Sequence, residues 1–349
     1  MEKNNITFTK RNTRRRTYKL SSKDKKKISK FGKKVREQPN IKEIFNYRTK
    51  IIYLSKYELD IFYSYYHKYP LLVREKIHKN TGIFKDKFNT DDFNTFNLDK
   101  NIPNKHQLKI TDYQNYMSYG GSYGHNAPAA YHRTNPTIYK NTYLLSNICP
   151  QEIVFNSGLW VLLENWIKIL KFHSRLVKRN VFTGSIPNTK LTKFNKSEIN
   201  VPTHMFKLLV FQHLDVPNTL FVSGFIMKNE PVYFNNISKI DFKKYLVDLD
   251  TINTKTNVNF EYILRYYNLL KDGMVIKPIT IVLETIFNLN DLLKIQLKKS
   301  KWYGKLIYSE NLNELDKNWK QLKKYEDEFK SLKYHEEYYN YAKKKLSNQ

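Results

Sequence analysis

Residues 120–168 decide the fold of this chain, and they read GGSYGHNAPAAYHRTNPTIYKNTYLLSNICPQEIVFNSGLWVLLENWIK. The stretch opens with a predicted strand that carries His125 between a glycine and a run of small residues. Residues 142–147 are mostly β-branched or apolar, which predicts a second, short strand. The apolar residues that follow recur at helical spacing and predict a helix that begins at Asn156. The expected order is therefore strand, strand, helix, with a histidine on the first strand.

Several short motifs in a fixed order carry a resemblance to a known family. They are Gly124 and His125, Ala127 to Ala129, Leu145 to Asn147, Pro150 and Gln151, Asn156, Trp160, Glu164, Val181 to Gly184, and Val201 to Lys207. Their order resembles that of the DNA/RNA non-specific endonucleases, which are ββα-metal or His-Me finger nucleases, and among these the endonuclease G group. The resemblance spans residues 60–260 and implies an α+β fold, in which helices flank a central antiparallel sheet.

The resemblance implies that His125 is a general base. Hydrolysis of a phosphodiester needs a group that is neutral near physiological pH and accepts a proton from water, and imidazole has a suitable pKa. A lone histidine with a purely structural role is the other interpretation. His132 is an alternative base within the same stretch, and His106 and His204 are further ones.

The predicted helix is expected to supply the metal ligand. Mg²⁺ keeps several of its waters and needs only one or two protein oxygens, so the carbonyl oxygen of Asn156 suffices; Mn²⁺ is an alternative ion. Glu164 comes eight residues later, which places it about 12 Å along a regular helix and about 80° around it. Both side chains cannot readily ligate one ion directly, so Glu164 is expected either to hold a metal-bound water or to orient the site without touching the ion. A simple helix N-cap is the alternative role for Asn156.

Four further side chains are candidates for the site. In the resemblance Asn147 positions the site by hydrogen bonds, although an asparagine that forms a turn is an equal alternative. Lys168 lies where a basic residue contacts phosphate, and its spacing from Glu164 also suits an ion pair. Arg133 and Lys140 are nearby basic residues that are expected to bind nucleic acid.

One departure from the family pattern lies directly before the Gly-His pair. The family has Asp-Arg there, and this chain has Ser122 and Tyr123. A guanidinium binds phosphate through two parallel hydrogen bonds that a phenol cannot reproduce, and losing such a donor costs several kcal/mol of transition-state stabilisation. Two functions are therefore open: a metal-dependent endonuclease, or a catalytically inactive nucleic-acid-binding or packaging protein with the nuclease fold.

The chain is strongly basic, with 61 Lys and Arg against 32 acidic residues and a net charge of +29. An excess of this size implies a polyanionic partner, nucleic acid first and an anionic membrane surface second. A soluble basic protein from a genome biased towards Lys and Asn is the alternative. DNA and RNA are accordingly the expected substrates, and a homodimer is one open assembly state.

The single cysteine, Cys149, excludes an intrachain disulfide, so nothing calls for an oxidising compartment. No apolar run approaches the ~18 to 20 residues of a membrane span, and the first residues lack the apolar core of a secretory signal. We expect an intracellular protein, nuclear or cytoplasmic with mitochondria as an alternative, and not a secreted one.

Composition divides the chain into three predicted parts. Residues 1–40 are rich in Lys and Arg and poor in apolar residues, which predicts a disordered basic arm. Residues 41–292 hold the predicted nuclease domain, with strands at 51–54, 69–73, 180–184, 205–214 and 219–227, a long loop at 79–117, and helices at 242–247 and 260–270. Residues 293–349 form an extension in which apolar residues at steps of three and four from Leu312 predict an amphipathic helix.

Overall fold

A computed structural model describes residues 38–47, 49–78, 95–132, 135–169, 175–232, 242–279 and 309–326, together with a few positions between 302 and 347. Its strands are β1 (Ile51–Lys56), β2 (Leu59–Ser64), β3 (Tyr69–Lys76), β4 (Gly121–His125), β5 (Ile148–Glu152), β6 (Leu176–Ile186), β7 (Thr192–Phe194), β8 (Ser197–Ile199), β9 (His204–His213), β10 (Val216–Lys228), β11 (Leu246–Val247) and β12 (Val275–Lys277). The predicted scaffold strands are confirmed as β1, β3, β6, β9 and β10.

The helices are α1 (Ile41–Ile44), α2 (Ile110–Met117), α3 (Pro136–Thr142), α5 (Leu249–Thr256), α6 (Phe260–Tyr266) and α7 (Leu312–Lys323), with α4 between α3 and α5. Helix α4 is continuous but changes pitch: an α-helical turn (Ile153–Phe155) leads into a π-helical turn (Asn156–Trp160) and then an α-helix (Val161–Ile169). Short 3₁₀ turns lie at Asn104–His106, Ala129–Tyr131, Leu145–Asn147 and Phe242–Tyr245.

The central sheet is antiparallel in the order β1-β2-β3-β6-β9-β10-β11, and β12 adds a parallel edge pairing to β10. Its middle strands are buried on both faces. On one face Phe260 of α6 contacts Phe182 and Phe206 at ring-centroid distances of 6.0 Å. On the other face Trp166 of α4 packs against Phe225 at 5.8 Å. The expected α+β architecture, with helices flanking a central antiparallel sheet, is confirmed.

Asparagine side chains cap the N-terminal ends of several helices. Capping is thus one structural role of the many asparagines in the sequence. The carboxamides of Asn40, Asn135, Asn259 and Asn311 each accept a hydrogen bond from a backbone N–H in the first turn of α1, α3, α6 and α7 respectively. Such caps satisfy donors that have no partner within the helix. The last of them confirms the predicted start of the C-terminal helix.

The strand predicted at residues 142–147 is wrong. Asn135 and Pro136 start α3, which runs to Thr142, because the asparagine caps two backbone N–H groups and the proline has a backbone angle suited to a first turn. The chain then makes a 3₁₀ turn, and the second strand of the hairpin begins only at Ile148.

Three other expectations differ from the structure. Helix α4 begins at Ile153 and not at Asn156, because Glu152 caps it. The described end of the predicted loop at 79–117 contains α2, and residues 242–247 form a 3₁₀ turn followed by a short strand. The predicted basic arm lies almost wholly outside the described residues.

The C-terminal extension has an apolar cluster of its own. Leu315 and Leu322 of α7 are fully buried with Leu306, and Ala342 lies beside them. Of the helices within the described ranges, none has the length and apolarity needed to cross a membrane. The boundaries at 40 and 292 stay predictions.

Candidate active site

A hairpin and a helix place the predicted site residues. Strand β4 pairs antiparallel with β5, so that His125 lies opposite Ile148 and Gly121 opposite Glu152. Helix α4 follows β5 directly. The expected ββα order is therefore present, with the histidine at the last position of the first strand.

Close packing beside His125 explains the glycine before it. A Cβ atom added to Gly124 would lie 2.3 Å from the side chain of Gln151, which is fully buried. Any larger residue at 124 would have to displace the buried side chain of Gln151. The glycine thus fixes the strand on which His125 is carried.

His125 lies among aromatic rings at the end of β4. Its ring centroid is 5.5 Å from that of Phe96 and 5.2 Å from that of Tyr143, the latter in an edge contact. Nε2 is buried and has no hydrogen-bond partner within the described part of the chain. Burial lowers the pKa of His125 from 6.5 to about 4. The imidazole is therefore neutral at physiological pH, as a proton acceptor must be.

Asn156 lies at the start of the π-helical turn, where α4 widens. Its Nδ2 donates to Ser122 Oγ at 3.1 Å, and Ser122 Oγ donates to the Gln151 carbonyl at 3.0 Å. This orients the carboxamide and leaves Oδ1 without a donor among the described residues. The N-cap role is wrong for Asn156, because Glu152 caps the helix by accepting from Phe155 N at 2.6 Å. A half-buried, oriented carbonyl oxygen of this kind suits a hard cation such as Mg²⁺.

The contacts of His125 and Asn156 are separate. Asn156 reaches β4 at Ser122, three residues before His125, and side chains on a strand alternate between its faces. Ser122 and His125 thus project to opposite faces of β4. The two candidates lie on the same ββα unit, and within the described residues no hydrogen bond joins them.

Glu164 is joined to a residue that the sequence argument did not select. Its Oε1 lies 3.5 Å from the ammonium of Lys207, a fully buried residue of β9. Burial raises the pKa of Glu164 to about 7, while Lys207 lowers it and Glu75 raises it further. The carboxylate and the ammonium are thus held together beneath α4.

Lys207 is fixed by the sheet and by α4. Its Nζ donates to Thr183 Oγ1 at 2.8 Å and to the Asn126 carbonyl at 3.4 Å, and it lies 4.7 Å from the ring centroid of Trp160. The sequence places Lys207 among apolar neighbours in the predicted scaffold strand at 205–214. The signal that would have found it is a charged residue within a strand that is otherwise almost wholly apolar, since a buried charge needs a partner.

His132, the alternative base, is paired with a buried carboxylate. Its Nε2 lies 2.7 Å from Glu75 Oε2, and both side chains are buried. His106 stacks on Tyr65 with ring centroids 4.2 Å apart, and His204 contacts Thr203. These partners leave His125 as the best candidate for the base.

Asn147 is a fully buried support for the segment after His125. Its Nδ2 donates to the carbonyls of Ala127 and Thr142, and its Oδ1 accepts from Ala127 N, all within 2.9 to 3.0 Å. It therefore forms the turn before β5 and holds the chain beyond His125, and its role in positioning the site stays a prediction.

Replacing Asn147 with alanine should destabilise the protein by about 3 kcal/mol, because a buried polar group left unpaired costs about 1 to 3 kcal/mol and three are left here. Urea unfolding followed by circular dichroism measures the change. Asn165→Ala, at a half-buried position of α4, is the control and should cost far less. An Asn147→Ala variant as stable as wild type would contradict the support role.

Tyr123, in the position of the family arginine, has a structural role. Its ring is stacked between Phe96 at 4.3 Å and Tyr113 at 4.5 Å, and its hydroxyl donates to the Ile110 carbonyl. Burial raises the pKa of Tyr123 to about 12. The phenol is therefore a packed, uncharged group and cannot neutralise phosphate.

Two of the three predicted phosphate-binding residues lie within the described ranges. Lys140 is exposed on α3, and Lys168 is half-buried near the end of α4. Arg133 lies outside the described residues. Within the described ranges, no group of three or more His, Cys, Asp or Glu side chains is arranged to hold a metal ion. A cation site built on Asn156 consequently depends on water and phosphate for most of its ligands.

Comparisons with known proteins agree with the fold. The pattern of the DNA/RNA non-specific endonuclease family matches residues 36–265, more than half of the chain. Nuclease EXOG, mitochondrial, of Danio rerio is 28% identical over 163 residues, which are 44% of this chain and 46% of that protein. The mitochondrial nuclease of Saccharomyces cerevisiae is 31% identical over 182 residues, 47% of this chain and 52% of that one.

A human relative and a solved structure are also similar to this chain. Endonuclease G, mitochondrial, of Homo sapiens is 27% identical over 175 residues, 47% of this chain and 55% of that protein. A chain in the crystal structure of the EndoG/EndoGI complex superposes with a TM-score of 0.53 at 20% identity, covering 69% of this chain and 97% of that one. The chain thus spans about half the length of the curated relatives it matches, and it shares the fold of the solved structure.

Proposed function

Because the chain belongs to the DNA/RNA non-specific endonuclease family, we propose that it is a metal-dependent endonuclease that hydrolyses phosphodiester bonds of DNA and RNA with little sequence preference. The observation that carries the proposal is His125. It stands at the end of the first strand of a ββα unit, is neutral at physiological pH, and has a buried Nε2 without a partner among the described residues.

His125 is the general base in this proposal. Its Nε2 takes a proton from a water molecule as that water attacks phosphorus. In an in-line displacement the attacking oxygen and the leaving 3′ oxygen lie on opposite sides of the phosphorus. A base and a group that serves the leaving oxygen therefore need not touch, which is consistent with the separate contacts of His125 and Asn156.

Asn156 would hold Mg²⁺ through Oδ1, with Mn²⁺ as a substitute. When bound, the ion stabilises the negative charge that develops on the leaving 3′ oxygen. Ser122 keeps the amide nitrogen turned away from that position. The products then carry 5′ phosphates, as the family resemblance implies.

Glu164 and Lys207 support the site from beneath α4. The ammonium favours the ionised carboxylate against the burial that opposes it. In its ionised form the carboxylate would orient water beside the helix on which Asn156 lies. In this proposal Lys207 positions Glu164 and does not touch the substrate.

The substrate range follows from charge. A net charge of +29 favours any phosphate backbone, and contacts to phosphate carry no sequence information. Lys140, Lys168 and Arg133 are the basic residues that we assign to these contacts. An intracellular location fits the mitochondrial nucleases among the relatives, and a homodimer stays a prediction.

Metal dependence provides the direct test of this function. Purified protein should nick plasmid DNA and degrade RNA with Mg²⁺, and chelation by EDTA should stop both reactions. Asn156→Ala should raise the Mg²⁺ concentration for half-maximal rate by about 10-fold or more. The matched control, Asn165→Ala in the same helix, should leave that concentration unchanged. Full cleavage in EDTA would exclude the proposed mechanism.

The packed state of Tyr123 favours one second candidate, a binding or packaging protein that has lost catalysis. The family guanidinium is replaced by a stacked phenol, so phosphate neutralisation at this position is absent. Retention of nucleic acid that weakens with salt, without nicking in Mg²⁺ or Mn²⁺, would select this function over the endonuclease.

A further inference from the structure

We propose that a cleft beside the N-terminal end of α4 binds an unpaired nucleobase of single-stranded nucleic acid. The inference rests on the proposed function, since it names a subsite for the same substrate. The cleft has a volume of about 540 Å³ and lies between α2, the β7-β8 hairpin and the ends of β9 and β10. That volume falls in the range of small-molecule sites.

Three aromatic rings form one wall of the cleft. Phe194 on β7 lies 4.9 Å from Tyr116 and 5.5 Å from Tyr119, centroid to centroid. Tyr116 is buried, Phe194 is half-buried and Tyr119 is 53% exposed. The hydroxyl of Tyr119 donates to Asn195 Oδ1 at 2.7 Å, which holds its ring in place. Fixed aromatic faces beside open space are what nucleobases stack on.

Asn229, which also lines the cleft, ties separate segments of the lining together. Its Oδ1 accepts from Glu152 N at 2.8 Å, and its Nδ2 donates to the carbonyls of Pro150 and Pro202 at 3.2 and 2.9 Å. One side chain thus ties β5 to the turn before β9. The lining of the cleft is therefore made of segments that the fold already holds together.

The charge around the cleft favours a phosphate backbone. Lys190, Lys193 and Lys196 are exposed on and beside the β7-β8 hairpin that carries Phe194, where Glu198 is also exposed. The two carboxylates of the lining have partners, since Glu152 caps α4 and Glu230 lies 3.6 Å from Lys228. Aromatic residues interleaved with lysines are typical of sequence-tolerant single-strand binding.

The cleft lies next to the proposed cation ligand. Glu152 lines it, and Asn156 follows four residues later, about 6 Å along the helix. A strand whose scissile phosphate reaches Asn156 therefore continues past the aromatic wall. A base in a duplex is already stacked and paired, so only an unpaired base can use this wall.

Binding to two matched oligonucleotides tests the cleft. Fluorescence anisotropy in EDTA compares a short oligothymidylate with an abasic oligodeoxyribonucleotide of equal length and charge. Contributions of the basic arm and the surface lysines cancel in the ratio of the two affinities. We expect Tyr119→Ala and Phe194→Ala each to lower this ratio by about five-fold or more. The control, Tyr57→Asn, removes an exposed ring elsewhere, at a backbone φ of 62° that asparagine tolerates, and should leave the ratio unchanged.

The result of this binding test can be told apart from the result of the cleavage test of the proposed function. An affinity ratio that neither substitution changes overturns the cleft, even if wild-type protein cleaves DNA. A lowered ratio in a protein that cleaves nothing in Mg²⁺ supports the cleft and removes the endonuclease. Wild type that binds both oligonucleotides equally also overturns the cleft. Circular dichroism confirms that the variants are folded.

Discussion

Replacing His125 with alanine is expected to lower the rate of DNA and RNA cleavage by about 10²- to 10⁴-fold, the usual contribution of a general base. The substitution removes the neutral Nε2 but leaves β4 and β5 paired through their backbones. Initial rates of plasmid nicking and RNA digestion in Mg²⁺ measure the effect. His78→Ala removes a solvent-exposed imidazole and should leave the rate unchanged. Cleavage by His125→Ala at the wild-type rate would exclude this base.

The same variant should lose a pH dependence of stability. His125 has a pKa of about 4 in the folded protein and about 6.5 when unfolded, so between these values the unfolded chain binds the extra proton. The free energy of unfolding of wild type should therefore fall by about 3 kcal/mol from this group as the pH drops from 6.5 to 4. His125→Ala should lack that contribution in urea unfolding measured across this range.

Replacing Lys207 with methionine is expected to destabilise the protein by about 3 kcal/mol, because it leaves the largely buried carboxylate of Glu164 without its cation. Thr183 Oγ1 and the Asn126 carbonyl also lose their donor. Urea unfolding at neutral pH measures the loss. The exposed Lys228, on β10, is the control, and Lys228→Met should change stability by less than about 1 kcal/mol.

A double-mutant cycle separates the ion pair from simple packing. Glu164→Gln alone leaves a buried ammonium, whereas Lys207→Met with Glu164→Gln removes both charges. The double variant should therefore lose less stability than the two single variants together, by about 0.5 to 3 kcal/mol. Additive losses would show that the two side chains do not interact.

The regular elements were predictable because their patterns are periodic. β6, β9 and β10 alternate or are continuously apolar, and α4 repeats apolar residues at helical steps. Residues 142–147 have the same apolar character, yet they end a helix and form a turn. There Asn147 satisfies three buried backbone groups, and a hydrogen-bonding pattern of this kind has no periodic signal.

The site residues were predictable by type, whereas their environments were not. The uncharged state of His125 comes from its burial, and Phe96, one of the rings beside it, comes from another segment of the chain. The apolar spacing predicts a regular helix from Asn156. A π-helical turn starts there instead, and such turns are often found at functional sites. Lys207 and Glu164 meet only because α4 packs across β9, so neither residue's sequence neighbourhood indicates the pair.

Crystals grown with Mn²⁺ and measured at its absorption edge would test most directly the central claim that His125 and Asn156 serve one cation-assisted site. We expect anomalous density at bonding distance from Asn156 Oδ1 and none at bonding distance from Nε2 of His125, which stays free to accept a proton. A cation bound away from Asn156, or one bound to the imidazole of His125, would contradict the claim.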